Sequence, residues 1–372
     1  MVNLENVLAA GVCDPHAYSG AVAIIRRGGE RVASAAVGQT ARFADTAGTP
    51  APAALRRPVT EDTIFDLASI TKLFVATVAL SLVEEGTLGL DEPVASWLPS
   101  FRTEPARRLV TLRQLLTHTS GLPALMRLWT DWPDPAARAR AVLREPLINE
   151  PGAAFEYSCV GFIVVGLLAA RVTGQPLPLL VRVRVTEPLG LTDTGYLPGA
   201  DVLDRVASTE YQPEVGRGMV RGSVHDENSW SLGGIAGNAG IFGTAGDVAR
   251  FGEMLRGNAV APILGADMLA EMTRDQLPAR IDPGFRHGLG VRIADPNSMG
   301  VLASDGAFGH TGFTGTSLVV DPRREIVVVL LTNRVHPSRD RSDISALRVD
   351  VARLAASSEP DPIHDREGTT CA

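Results

Sequence analysis

The placement of strand-like segments constrains the fold of this chain more than any other feature of its sequence. Two apolar runs, Gly20–Arg27 and 31–38, flank Gly28-Gly29 and predict a hairpin. Four further runs near the other end, separated by turn residues, predict an antiparallel meander: 287–293, 307–311, 317–321 and 325–333. Because connections between neighbouring elements are short, we expect one antiparallel sheet built from both ends of the chain.

A helical region separates the two groups of predicted strands. Residues 70–85 are apolar nearly all round and end at Gly86, which predicts a buried helix. We therefore expect an α+β fold, an antiparallel sheet flanked by helices with an inserted mostly helical lobe. The predicted division is an α/β lobe from residues 1–95 and 236–358, a helical lobe from 96–235, and a flexible tail at 359–372. A cleft between the lobes would be the natural site.

Composition narrows the class of protein. The 372 residues are 45% hydrophobic and 21% charged, which suits a globular protein with a large core. The net charge of -7 argues against nucleic-acid or anionic-membrane partners. The longest apolar run, 159–170, is too short to cross a bilayer, and the start carries Glu5 without a basic segment. The sequence has three cysteines at unrelated spacings, Cys13, Cys159 and Cys371, which predicts neither a disulfide framework nor a metal site. We therefore expect a cytoplasmic protein, and we expect no cofactor.

The pair Ser69 and Lys72 is the first candidate for chemistry. Lys72 is the only lysine in the sequence, and the other basic residues are arginines, which keep their protons. On a helix, positions i and i+3 share a face, so the hydroxyl and the amine would meet. Burial and the helix dipole disfavour an ammonium there, which predicts a neutral amine that activates the serine. The alternative is a helix N-cap serine with a surface lysine.

Further motifs follow this pair in a regular order. Tyr157 lies 88 residues after Ser69, and His310 lies 153 residues after Tyr157. The full set comprises Ser69-Ile70-Thr71-Lys72, residues 115–122, Tyr157-Ser158-Cys159, residues 239–242 and His310-Thr311-Gly312. In these motifs the chain resembles the serine β-lactamase and penicillin-binding-protein superfamily, especially its class C β-lactamase-like and family VIII carboxylesterase-like branch. The resemblance covers nearly the whole length and implies the β-lactamase/D,D-peptidase-like form of the expected fold.

The resemblance implies four catalytic residues. Ser69 would be the acylated nucleophile, Lys72 would keep it deprotonable, and Tyr157 would share the proton transfer. His310 stands at the lysine position of the family's Lys-Thr-Gly motif. A phenol is a usable base near neutral pH only beside cations, and we expect Lys72 and His310 to supply them. A hydrogen-bonded strand histidine is the alternative for His310.

The resemblance also implies a substrate-binding set. The backbone N–H groups of Phe313 and Ser69 would hold the oxyanion, and Thr311 and Gly312 would border the substrate, with Gly312 leaving room for it. Cys159 replaces the asparagine of the family's Tyr-x-Asn motif. The tryptophans at 129 and 132 are candidates for the wall of an acyl pocket, and packing in the core or at the surface is the alternative. Of the two, we predict Trp129 as the substrate-binding residue.

Two other polar clusters have structural interpretations. His118 lies in a shared motif but has no assigned proton, so we interpret it as structural. The run 225–227, His-Asp-Glu, could ligate a metal, but no second cluster accompanies it. We therefore interpret this run as a solvated or structural loop.

The substitution at Cys159 shapes the functional expectation. A thiol replaces an amide poorly as a hydrogen-bonding group for β-lactam or peptide substrates. We therefore expect an intracellular carboxylesterase, amidase or transacylase that acts on a small ester or amide. The acyl acceptor would be water, an amine or an alcohol, and the biological role could be in secondary metabolism. The alternatives are a β-lactamase or D,D-peptidase, and a non-catalytic family member. The oligomeric state is left open.

Overall fold

The computed structural model describes residues 3–13, 17–259, 261–304 and 306–357, so the predicted tail and Cys371 lie outside the described residues. Twelve α-helices form within these ranges. They are α1 Leu4–Cys13, α2 Thr71–Glu84, α3 Leu112–Leu116, α4 Leu128–Asp131, α5 Pro135–Val142, α6 Cys159–Thr173, α7 Leu177–Val181, α8 Glu227–Ser231, α9 Ala245–Leu255, α10 Ala266–Thr273, α11 Pro296–Met299 and α12 Ser345–Ser357.

Ten strands form two sheets. They are β1 Gly20–Arg27, β2 Glu30–Gly38, β3 Phe65–Asp66, β4 Gly195–Tyr196, β5 Ile241–Gly243, β6 Arg286–His287, β7 Arg292–Ile293, β8 Phe308–Gly312, β9 Thr316–Asp321 and β10 Ile326–Thr332. The larger sheet is antiparallel, in the order β2-β1-β10-β9-β8-β7-β6. This order confirms a sheet built from both ends of the chain, although the run predicted at 287–293 is two short strands. A small sheet, β3-β5-β4, was not predicted.

The two faces of the large sheet pack against different helices. Along β1, Val22 and Ile24 belong to a core shared with α2 and α9, whereas Ala23 and Ile25 belong to a second core shared with α1 and α12. Side chains of a strand alternate between its faces, so a strand covered on both sides is apolar throughout. The sheet is therefore flanked by helices, and the α+β fold is confirmed.

The predicted buried helix is confirmed as α2. Every residue from Thr71 to Leu82 in α2 is buried, and Phe74 stacks on Phe251 of α9 with ring centroids 4.0 Å apart. The same core includes Phe162 of α6, so it draws side chains from both predicted lobes. The division into two lobes stays a prediction.

In the described part of the chain, no single helix is long and apolar enough to cross a membrane. The adjoining segments Cys159–Thr173 and Leu177–Thr186 meet the requirement only together, and they are bent by 85°.

Candidate active site

Ser69 lies in a tight turn between β3 and α2. The 3₁₀ turn Ala68–Ile70 leads directly into α2, and Ala68 has a φ of 46°, which is uncommon outside glycine. Asp66 holds this turn: its Oδ1 accepts the N–H of Ala68 at 2.8 Å. Its Oδ2 accepts the N–H of His225 at 2.6 Å. The carboxylate therefore ties the nucleophile's turn to the loop that contains His225.

Lys72 lies one turn further on, on the first turn of α2, and it is fully buried. Its Nζ donates to Ser69 Oγ at 2.9 Å and to the carbonyl oxygen of Asn238 at 3.0 Å. A third, longer contact of 3.7 Å reaches Cys159 Sγ. The i, i+3 spacing therefore brings the hydroxyl and the amine together, whereas the alternative of a surface lysine is wrong.

The charge on Lys72 differs from the sequence-based expectation. Burial lowers the pKa of Lys72, but the neighbouring Cys159 thiol and Tyr157 phenol outweigh burial and raise the pKa above its ordinary value. An ammonium has three donors, and the three neighbouring acceptors match them. The prediction of a neutral amine is thus wrong, because it included burial and the helix dipole but not the acidic groups brought in from α6.

Tyr157 lies just before α6. The N-cap Ser158 accepts the N–H of Gly161 at 2.8 Å, which fixes the start of that helix. The Tyr157 ring centroid lies 5.0 Å from Lys72 Nζ and 5.5 Å from the guanidinium carbon of Arg292. Two cations therefore border the phenol.

His310 is not one of those cations. Burial, together with the nearby Arg292 and Lys72, holds the pKa of His310 well below its ordinary value, so the ring is neutral near pH 7. Its Nδ1 lies 2.7 Å from the carbonyl oxygen of Thr311, and its ring centroid lies 5.9 Å from that of Tyr157. The expectation that His310 supplies charge is wrong; the burial of its strand keeps it uncharged.

One pocket of about 590 Å³ brings most of the candidate residues together. Its lining includes Ser69, Tyr157, Cys159, Thr311, Gly312 and Phe313. Trp129 does not line this pocket; it lines a neighbouring one. Gly312 also serves the protein's own packing, because a Cβ there would lie 2.6 Å from the carbonyl oxygen of Leu67.

Sequence reasoning missed the cations of this pocket. Arg292 on β7 and Arg348 on α12 both line it, and neither belongs to a recognisable motif. Burial, with Arg334 nearby, lowers the pKa of Arg348 to about 10. Cationic side chains near the substrate-binding strand favour anionic groups on a ligand.

The two clusters interpreted as structural have partners within the protein. His118 Nδ1 accepts the N–H of Ser158 at 3.0 Å, and burial lowers the pKa of His118 well below its usual value. In the run 225–227, His225 Nε2 lies 2.8 Å from Glu210 Oε2, and Asp226 caps α8. Within the described residues, no group of three or more His, Cys, Asp and Glu side chains could hold a metal ion.

The site therefore combines a hydroxyl with a buried ammonium, a phenol between cations and an open pocket. The sequence profile of the Beta-lactamase family matches residues 6–353. The chain belongs to this family and is a serine β-lactamase-family hydrolase.

Three known proteins are similar to most of the chain. The "Putative D-alanyl-D-alanine carboxypeptidase" of Escherichia coli (strain K12) is 32% identical, over 76% of this chain and 72% of that protein. The N-acetylmuramyl-L-alanine amidase of Bacillus subtilis (strain 168) is 29% identical, over 90% of this chain and 80% of that protein. The solved structure of EstCE1, a hydrolase with promiscuous acyltransferase activity, superposes with a TM-score of 0.72 at 26% identity. The match covers 93% of this chain and 96% of the EstCE1 chain.

Proposed function

We propose that this protein is a serine hydrolase or acyltransferase that works through an acyl-Ser69 intermediate, with a small ester as its preferred substrate. The observation that carries the proposal is the 2.9 Å contact between Ser69 Oγ and Lys72 Nζ beside Tyr157, in an open pocket. A hydroxyl held against a cation and next to a potential base fits an activated nucleophile.

The charges indicate which residue takes the proton. The raised pKa of Lys72 favours an ammonium, which cannot accept the proton of Ser69. We assign the base to Tyr157, which as a phenolate can accept that proton and whose ring borders both Lys72 and Arg292. In the proposed step, the Tyr157 phenolate removes the proton from Ser69 Oγ as Oγ bonds to the carbonyl carbon. Lys72 stabilises the developing charge on Oγ, and the Tyr157 proton then passes to the leaving alkoxide.

The choice of an ester rests on Cys159 and on one similar structure. The half-buried Cys159 thiol is a weak partner for the amide of a peptide or β-lactam. EstCE1, a hydrolase with promiscuous acyltransferase activity, is 26% identical over nearly the whole chain. Both observations support ester cleavage, with water, an amine or an alcohol completing the cycle.

A second candidate function is cleavage of a peptide or amide that ends in a carboxylate. Arg292 and Arg348 line the pocket beside Thr311, and such cations suit a free carboxylate on the substrate. The name of the Escherichia coli relative, a carboxypeptidase, supports a substrate with a terminal carboxylate, and the name of the Bacillus subtilis relative supports an amide.

A panel of p-nitrophenyl esters tests the first proposal. We expect turnover that falls at least about a thousandfold in Ser69→Ala and in Lys72→Ala. Ser96→Ala, an exposed serine, is the matched control and should keep the wild-type rate. Mass spectrometry of the quenched reaction should detect an acyl group on Ser69. Full turnover by folded Ser69→Ala would reject the proposal.

Two further measurements separate the candidates. Adding hydroxylamine or an alcohol should divert the acyl group if the enzyme transfers it to acceptors. Nitrocefin and a peptide ending in D-Ala-D-Ala should be poor substrates relative to the esters. A preference for the peptide would favour the second candidate, and no labelling of Ser69 by a fluorophosphonate would revive the non-catalytic alternative.

A further inference from the structure

A second pocket, of about 800 Å³, adjoins the catalytic pocket. Glu227 and Arg339 line both, so the two pockets share a wall. Arg339 forms this wall by pairing with Glu227 and by donating from Nε to Glu210 Oε2 at 2.7 Å. The two pockets are therefore neighbours separated by this ion-paired wall, and a substrate that reacts at Ser69 would extend over it to reach the second pocket.

Aromatic side chains on fixed elements line the second pocket. Trp129 is on α4 and Trp230 is on α8. The two helices are joined because Asn228 Oδ1 accepts the N–H of Leu128 at 3.0 Å. The guanidinium carbon of Arg217 lies 4.8 Å from the ring centroid of Trp230 and packs against it. The indoles are thus held as preformed surfaces.

The second pocket also carries excess negative charge. Its lining contains two arginines, Arg127 and Arg339, and four carboxylates: Glu210, Glu214, Glu227 and Asp340. Arg339 engages two of these carboxylates. Glu214 and Asp340 are exposed, and among the described residues neither forms an ion pair. The catalytic pocket has the opposite balance, with four arginines and three carboxylates.

We propose that the second pocket binds a positively charged amine, as an ammonium or quaternary ammonium group, at the far end of the substrate's acyl chain. Indole faces and carboxylates together favour organic cations. The guanidinium of Arg127 lies 5.7 Å from the ring centroid of Trp129, so a ligand cation would displace this arginine or use the other face of the indole. Arg292 and Arg348 do not line this pocket, so the cation and any substrate carboxylate occupy different regions.

The binding part of the proposal can be tested without catalysis. The probe is choline, with 3,3-dimethylbutan-1-ol as its neutral counterpart of equal shape, titrated into the full-length protein by calorimetry. We expect choline to bind at least about tenfold more tightly than the alcohol. This preference should disappear in Glu214→Gln/Asp340→Asn. Equal affinities for the two probes in the wild-type protein would overturn the proposal.

A charge-matched variant controls for long-range electrostatics. Glu30→Gln/Asp267→Asn removes two exposed carboxylates that line neither pocket, and it changes the net charge equally. It should keep the preference for choline. An equal loss in both double variants would mean that net charge, rather than the pocket, selects the cation, and would also overturn the proposal.

The use of the pocket in turnover rests on the proposed acyl-serine function. The test compares p-nitrophenyl 6-(trimethylammonio)hexanoate with p-nitrophenyl 7,7-dimethyloctanoate, which differ only in N⁺ versus C. We expect the ratio of their kcat/KM values to be about ten in the wild type and near one in Glu214→Gln/Asp340→Asn. A ratio that is the same in both proteins would overturn the pocket's role in turnover. Absence of Ser69-dependent turnover of both esters would instead reject the proposed function, and the choline result would still decide the binding site.

Discussion

Arg292 lies beside the ring of Tyr157, with its guanidinium carbon 5.5 Å from the ring centroid. Arg292 is on β7 and also pairs with Asp295 at 3.1 Å, which fixes its direction. Together with Lys72 it gives the phenol two fixed positive neighbours, while His310 is uncharged. The proposed base therefore depends on an arginine that lies outside every recognised motif.

Arg292→Gln should lower ester turnover. Arg292 lies beside Tyr157 and lines the catalytic pocket, so the substitution removes a positive charge from the place where negative charge develops in the transition state. We expect kcat/KM at pH 7 to fall about tenfold. Arg292→Lys keeps the charge and should lose less. The measurement is kcat/KM for a p-nitrophenyl ester in both variants, and a wild-type value in folded Arg292→Gln would contradict this account of the site.

Cys159→Asn should raise activity on amides relative to esters. The side chain at 159 lines the pocket and lies 3.7 Å from Lys72 Nζ, and an amide there could both donate to and accept from a substrate amide. We expect nitrocefin hydrolysis, divided by p-nitrophenyl ester hydrolysis, to rise at least about tenfold. Cys159→Ser is the control, because it adds a hydroxyl without the amide. A ratio that stays at the wild-type value would count against the role given to Cys159.

His287 should make the protein less stable in acid. Burial lowers the pKa of His287 to about 4, so between pH 6.5 and pH 4 the unfolded chain binds a proton that the folded protein does not. This contribution to stability is complete above about pH 6.5 and is lost as the pH falls toward 4. The loss would reach about 3 kcal/mol, at about 1.4 kcal/mol per pH unit.

Urea unfolding from pH 8 to pH 4.5 measures that contribution. As the pH falls, the free energy of unfolding should decrease less steeply in His287→Gln than in the wild type. The difference should be about 1.4 kcal/mol per pH unit, which corresponds to one proton. Comparing each protein with itself at pH 8 removes the pH-independent effect on packing. The same pH dependence in both proteins would exclude His287 as a source of acid lability.

Asp66→Asn should destabilise the turn that contains Ser69. Asp66 accepts two backbone N–H groups, from Ala68 and His225, and an amide can accept only one of them while its NH₂ group opposes the other. We expect the free energy of unfolding to fall by about 1–3 kcal/mol, and ester turnover to fall with it. The exposed Asp62→Asn is the control, with an expected change below about 0.5 kcal/mol. Equal stability of the two variants would show that Asp66 does not hold the turn.

Local patterns predicted the elements and the contacts that arise within them. The contact of Ser69 with Lys72 joins residues three positions apart on one helix face, and it forms as predicted. The turn-separated apolar runs also predicted the large sheet, since β9 and β10 are buried throughout and β1 over most of its length, which makes these strands apolar. The small sheet was missed because strands of two or three residues carry no usable periodicity.

The charges of the site could not be predicted in the same way, because they depend on distant residues. Arg292 reaches Tyr157 through the register of β7 with β8, where Arg292 pairs with Gly309. The raised pKa of Lys72 needs Cys159, which follows it by more than eighty residues. Long-range register and burial set these properties, and no local spacing in the sequence records them.

The pairing of β1 with β10 has a consequence for how the protein is made. Ala21 emerges from the ribosome early in synthesis, but its partner Thr332 emerges only after nearly all of the chain. The first hairpin must wait, with its apolar face exposed, until the last strand arrives between it and the rest of the sheet. Translation that stops before β10 would therefore leave an aggregation-prone fragment rather than a smaller working enzyme.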